Sequence, residues 1–246
     1  MYSAASQPWM MAGVAVIVVM GAIVQAGLGM GYAVIAAPLL ALIAPELVPV
    51  PTLWMGFATA AYGAWSDRRG VIWSEVGVGL TGRVVGIALA LLVLDWIGGG
   101  AMFSLVFGLM VGVAVVLSLG GWRLEFNRVS LVAMAAVSGL MATISSVGAP
   151  PLAMIYQSRS SADARPTLGA FFAIGVAMSL AALHASGHAG WREIWLAAMM
   201  VPPMVVGTII GRRMRGRFDT RYRPFLLSIS GAAAVILILR GLLWNF

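Results

Sequence analysis

The sequence predicts an all-α polytopic membrane protein made of two inverted-topology repeats. Each repeat holds about five membrane-embedded segments, with short or broken helices. Three observations predict this. The 246 residues are 61% hydrophobic and 9% charged, with a mean hydropathy of +0.99, whereas a soluble domain carries about a quarter charged residues. Apolar runs cover 9–43, 49–65, 71–94, 100–119, 129–157, 166–186, 193–211 and 224–244, which leaves room for a single membrane domain over 1–246. The third observation is how the arginines fall between these runs.

The first run, from Trp9, has no basic flank and no small-residue cleavage site before the next apolar stretch, so it reads as a retained segment, not a signal peptide. As one helix it would be about 52 Å long, too long for a single crossing, and Gly27-Leu28-Gly29-Met30-Gly31 interrupts it. The fifth run is interrupted in the same way by Ser145-Ser146-Val147-Gly148-Ala149-Pro150-Pro151. Taking each long run as one pass gives eight full transmembrane helices, 4+4, with eight loop arginines on one side and six on the other. Folding each run back at its break gives ten segments, four of them short. Twelve arginines then share one side, and only Arg192 and Arg240 lie on the other. The positive-inside rule selects the second arrangement, with both termini outside. The remaining runs each cross once. Tryptophans 9, 54, 65, 73, 96, 191, 195 and 244 lie near segment ends and read as interface anchors.

The halves resemble each other in order. Pro38-Leu39 recurs as Pro151-Leu152, Pro51-Thr52-Leu53 as Pro166-Thr167-Leu168, Trp73-x-Glu75 as Trp191-x-Glu193, and Gly86 as Gly207. This sets a first repeat over 9–120 and a second over 129–246. Five segments per half is odd, so the second copy enters the membrane in the opposite sense, an arrangement that recurs in transporters.

Helices that restart inside the membrane expose unpaired N–H groups and the positive end of their dipole, so the two breaks are candidate anion sites. The alternative is close helix packing, for which small residues are also selected. The candidate substrate-binding residues are Gln25, Gly27, Gly29, Gly31, Ser145, Ser146 and Gly148, with Thr143 nearby. Arg83 joins them as the one arginine inside an apolar stretch. A charge at that depth costs at least ~2.5 kcal/mol on insertion scales, and its planar fork of donors suits oxyanions. Its competing roles are structural pairing with helix-terminal carbonyls and snorkelling. Glu75, about 12 Å away along the same helix, is too far to pair with it directly.

Other chemistry has little support. The chain has no cysteine and hence no thiolate site. His184 and His188 have metal-compatible spacing but no acidic or thiol neighbour in sequence, so no metal and no cofactor is expected. No nucleophile elbow, phosphate loop or HExxH sequence occurs, which argues against an enzyme. The net charge of +7 reflects topology and contact with membrane lipids, not nucleic acid. Glu46, Asp67, Glu75, Asp95 and Glu193 all lie close to segment ends, so no carboxylate marks a proton relay. A non-transporting scaffold or assembly factor, or an intramembrane enzyme using His184 or His188, would be the alternative functions, and a homo-oligomer is compatible with the sequence.

Several motifs resemble those of the TauE/SafE sulfite exporter and sulfonate permease family. In the first half these are Gly27-Leu28-Gly29-Met30-Gly31, Pro38-Leu39, Thr52-Leu53, Asp67-Arg68-Arg69-Gly70-Val71-Ile72, Gly82 and Gly86. In the second they are Ser138-Gly139-Leu140, Val147-Gly148-Ala149-Pro150-Pro151-Leu152, Arg165-Pro166-Thr167-Leu168, Phe171-Phe172 and the series Pro203, Gly207, Gly211. Met30 and Ala149 stand where the family often has further glycine. The resemblance implies a secondary transporter, an exporter, for small sulfur-containing anions such as sulfite, thiosulfate or organosulfonates. The two repeats would rock about a site between the breaks.

Overall fold

The computed structural model describes residues 8–28, 31–157, 159, 161–214 and 222–243; Gly29 of the first break lies outside them. The described residues form ten α-helices and no strand: α1 (Pro8–Leu28), α2 (Tyr32–Ile43), α3 (Val50–Ser66), α4 (Trp73–Ile97), α5 (Gly100–Leu119), α6 (Arg128–Ser145), α7 (Ala149–Tyr156), α8 (Ser161–Ala185), α9 (Trp191–Arg213) and α10 (Tyr222–Leu243). Seven of these, all but α2, α3 and α7, are long and apolar enough to cross a membrane. The chain is a multi-pass membrane protein.

Local chemistry sets the helix ends. Gly31, with φ of 126°, turns the chain into α2, and the Gln25 side-chain oxygen accepts the first amide of α2, that of Tyr32, at 3.0 Å. At the start of α6, Asn127 and Ser130 form a reciprocal capping box. At its end Ser146 adopts the left-handed conformation and donates its hydroxyl to the Pro49 carbonyl at 2.9 Å.

Both long apolar runs fold back, which decides against eight straight passes. Helix α7 has only 8 residues, about 12 Å of rise. The contacts between helix ends agree. Glu75 pairs with Arg159 at 2.8 Å, the Ile72 amide donates to Thr167 Oγ1, the Leu124 amide donates to the Met154 carbonyl, and Arg212 lies over the Tyr62 ring. Eight passes would put Glu75 and Arg159 on opposite faces of the membrane. At the other end, His188 meets Asp95 at 3.4 Å and Arg240 reaches the Leu42 carbonyl. Arginines 68, 69, 123, 128, 159, 165, 212 and 213 therefore share one end of the bundle, and Arg192 and Arg240 lie at the other.

One expectation needs correction: α1 and α6 are not short. Both are long enough to span, because the chain turns back alongside each helix and does not stop halfway. Ser138, seven residues before the end of α6, donates to the Gly148 carbonyl at 2.6 Å. Helix α7 thus begins level with the middle of α6. Likewise the Tyr32 ring at the start of α2 packs on Gly21 of α1.

Each half contributes five helices, and exchanging the halves exchanges their packing partners. Helix α4 lies along α6 as α9 lies along α1; α3 packs on α8 and α5 on α10. Glycines make the closest approaches. A Cβ at Gly82 or Gly86 would collide with the α6 backbone at Val132 or Ala136, and one at Gly207 or Gly211 with the α1 backbone at Val19 or Ile23. Most tryptophans face outward near helix ends, as expected of anchors. Trp54 departs from this, packing edge-on against Phe57 and His184 inside the bundle.

Gly86→Ala is expected to cost about 1–3 kcal/mol of stability, because the new methyl forces the α4–α6 backbones apart. Gly112→Ala, which meets nothing within 4 Å, should cost nothing. Thermal unfolding of the purified proteins compares the two.

Candidate functional site

Arg83 is the eleventh residue of α4 and is fully buried. Its long side chain fits because two neighbouring residues lack one. A Cβ at Gly139 on α6 would come within 3.2 Å of Arg83 Cδ, and a Cβ at Gly175 on α8 within 3.0 Å of Nε. The guanidinium lies between α6 and α8. Nη1 donates to Ser138 Oγ at 3.2 Å and to the Ser138 carbonyl at 3.3 Å, and Nη2 donates to Ser179 Oγ at 3.2 Å. Thr143 Oγ1 and Ser179 Oγ share a hydrogen bond of 2.9 Å, and the Phe171 ring centroid lies 5.8 Å from Cζ.

Every one of these partners is neutral. Among the described residues no carboxylate pairs with Arg83, and its buried Nε has no acceptor. Of five N–H donors, at most three are engaged. Snorkelling is excluded by full burial. Pairing with Glu75 is excluded because Glu75 is bound by Arg159 and by the Tyr156 hydroxyl at 2.9 Å. A buried charge without a counter-ion carries an uncompensated desolvation cost, and its spare donors and low-dielectric surroundings strengthen any anion contact.

The second break adjoins this site through a chain of bonds from Arg83 to Ser138 to Gly148. Gly148 is the N-cap of α7. The expected ring of free amides is thin here, because Pro150 and Pro151 have no N–H and remove two of the first four donors of α7. The two serines of the break are used internally. Ser145 donates to the Met141 carbonyl at 2.7 Å, and Ser146 binds Pro49.

The first break is built differently. Gln25 caps α2 through the Tyr32 amide, and Gly31 supplies the turn. Gly27 lies in the last turn of α1, and Gly29 lies outside the described residues. The two breaks share an apolar cluster, in which Met141 and Val147 of one pack with Tyr32, Val34 and Ala36 of the other. The bonds of Arg83 run to α6 and α8, while Gln25 turns to its own repeat.

Ser138, Ser179 and Phe171 are the site residues that the candidate list lacks. Their sequence signals are the motifs Ser138-Gly139-Leu140 and Phe171-Phe172 and the Gly175, Ser179 spacing of about one helical turn, which puts a small residue and a hydroxyl on one face. His184 Nδ1 binds the Leu180 carbonyl, His188 binds Ser186 and Asp95, and no group of three metal-ligating side chains occurs among the described residues.

If the Arg83 charge is uncompensated, Arg83→Met should raise the thermal stability of the anion-free protein, by about 1 kcal/mol or more on the precedent of buried charges replaced by apolar groups. Ser138 and Ser179 keep their bonds to the Gly148 and Gly175 carbonyls in that variant. A lower melting temperature would show that the arginine is a structural bolt.

No curated protein and no solved structure matches the chain. A family model does: that of the sulfite exporter TauE/SafE family matches residues 14–237. Over nine tenths of its length, and with the motifs around Gly82, Ser138 and Gly148 inside the match, the chain belongs to the TauE/SafE sulfite exporter family.

Proposed function

We propose that the protein is a secondary transporter that exports a small sulfur oxyanion, with sulfite, thiosulfate and organosulfonates as the substrate class, by alternating access to the Arg83 site. The observation that carries this reading is the fully buried guanidinium with neutral partners only and an unsatisfied Nε. An oxyanion there would neutralise the charge and accept the spare N–H groups of Arg83. Family membership adds the transport class.

Of the residues in the two breaks, Gly148 contributes by bringing the α7 dipole close to the Ser138 bond. Gln25, Gly27, Gly31, Ser145 and Ser146 shape the turns on which the rocking repeats pivot. The arginine-rich end would face the cytoplasm of a bacterial inner membrane, with both termini periplasmic. The membrane potential, negative inside, then favours anion exit by about 2.3 kcal/mol per charge per 100 mV, so export needs no coupling ion.

Counterflow in proteoliposomes tests the reading with sulfite, thiosulfate, sulfate, taurine and sulfoacetate. Saturable movement of at least one anion is expected, together with a drop of about ten- to a hundredfold in Arg83→Gln, as befits the loss of a charged hydrogen-bonding group. Absence of flux for every anion, from protein shown to be folded, would favour a scaffold role.

A further inference from the structure

Three residues on one face of α4 lead from the arginine-rich end to the buried arginine. Glu75, Gly79 and Arg83 are spaced four residues apart and so stack one above the other. We propose that this stack is gated in two layers, an inner layer formed by the Phe171 ring and an outer latch formed by Glu75, Arg159 and Tyr156, which together close the Arg83 site towards the arginine-rich face. The inference rests on the transporter reading and names its gating residues.

The Phe171 ring touches both upper members of the stack. Its edge packs on Gly79, where a Cβ would come within 3.0 Å, and its centroid lies 5.8 Å from the guanidinium carbon of Arg83. The ring therefore spans the step of the stack from Gly79 to Arg83. Leu131, Leu152, Ile155 and Leu168, all buried, complete a dry layer around it.

Below that layer lies the latch. The Glu75 side chain, 13% exposed, receives Arg159 Nη2 at 2.8 Å on one oxygen and the Tyr156 hydroxyl at 2.9 Å on the other. Arg159 also lies over the Phe126 ring at 4.1 Å. The latch thus joins α4 to the end of α7 and to the chain that follows it. Arg159 remains 32% exposed, and pairs at such an edge exchange readily with water, as a reversible closure requires. An anion arriving at this end competes with Glu75 for the same guanidinium.

Helix α7 couples the two levels. Its N-terminal end is fixed beside Arg83 through Gly148 and Ser138, and its last residue is Tyr156. Swinging that last turn away from α4 breaks the latch and strips Leu152, Ile155 and Tyr156 from the layer that holds Phe171. With Glu75 fixed in the first turn of α4, itself clamped to α6 by glycine contacts, α7 is the part free to move.

The cysteine-free chain allows a test that needs no substrate. Leu168→Cys places a thiol one turn before Phe171, on the side of the inner layer nearer the arginine-rich end, and Thr143→Cys places one beyond the ring. Each is probed with a membrane-impermeant thiol reagent applied at the arginine-rich face of oriented vesicles. Glu75→Gln should raise Leu168→Cys labelling by about tenfold or more, as loss of a charge-assisted bond implies. Exchanging the charges, Glu75→Arg with Arg159→Glu, should restore slow labelling. Thr143→Cys should become reactive only when Phe171→Ala is added to Glu75→Gln. Arg159→Gln asks the same question on a more exposed residue should Glu75→Gln fail to fold. Unchanged labelling of Leu168→Cys in both latch variants would overturn the outer layer, and reactive Thr143→Cys with Phe171 intact would overturn the inner one. Because labelling reads access alone, a failed transport assay would leave these results standing, and failed labelling would leave the transport reading standing.

Discussion

A guanidinium held at the middle of a membrane helix without a carboxylate to neutralise it is the constraint around which this protein is arranged. The cost of that charge is contained by four residues on two helices, α6 and α8. Gly139 and Gly175 clear the space for the side chain, and Ser138 and Ser179 accept its donors without cancelling its charge. Glycine contacts at Gly82 and Gly86 bring α4 close enough to α6 for the Ser138 bonds to form. Neutral partners keep the site attractive to an anion, whereas an aspartate in place of Ser138 would have satisfied the arginine and silenced it.

The two halves use one plan for unlike ends. In each, a long helix is followed by a chain that folds back and restarts beside it, and the fourth helix of each half clamps through glycines onto the first helix of the other. The chemistry differs at the restart. The second half places Ser138 level with Gly148 and hands a bond on to Arg83. The first half places Gly21 there, with the Tyr32 ring against it. The sequence position matching Arg83 falls near Pro202 and Pro203, so the Arg83 site sits off-centre in a framework of near-symmetric helices.

Much of the framework was legible because its signals add along the chain. Hydropathy marked the runs, and the division of arginines between the loops distinguished ten segments from eight before the Glu75–Arg159 contact confirmed it. The site was legible only in part. Arg83 announced itself by its surroundings, but its partners lie 55 and 96 residues away on other helices, and nothing in the local sequence of Ser138 or Ser179 separates them from serines that merely bond their own helix. Gln25 and Ser146 read as ligands because a polar side chain beside a break suits either an anion or the broken backbone; in the fold they meet the Tyr32 amide and the Pro49 carbonyl. Trp54 read as an anchor because it lies near a segment end, while its position on the α3 face that meets α8 turns it inward.

The account stands on where the anion binds, and selenite locates it directly. Selenite shares the pyramidal oxyanion geometry of sulfite, and its selenium gives an anomalous signal in diffraction from crystals of the protein. The account requires selenium within contact distance of the Arg83 guanidinium, with its oxygens on the donors that Ser138 and Ser179 leave free. Selenium found only among the surface arginines, with the Arg83 bonds to Ser138 and Ser179 undisturbed, would contradict it.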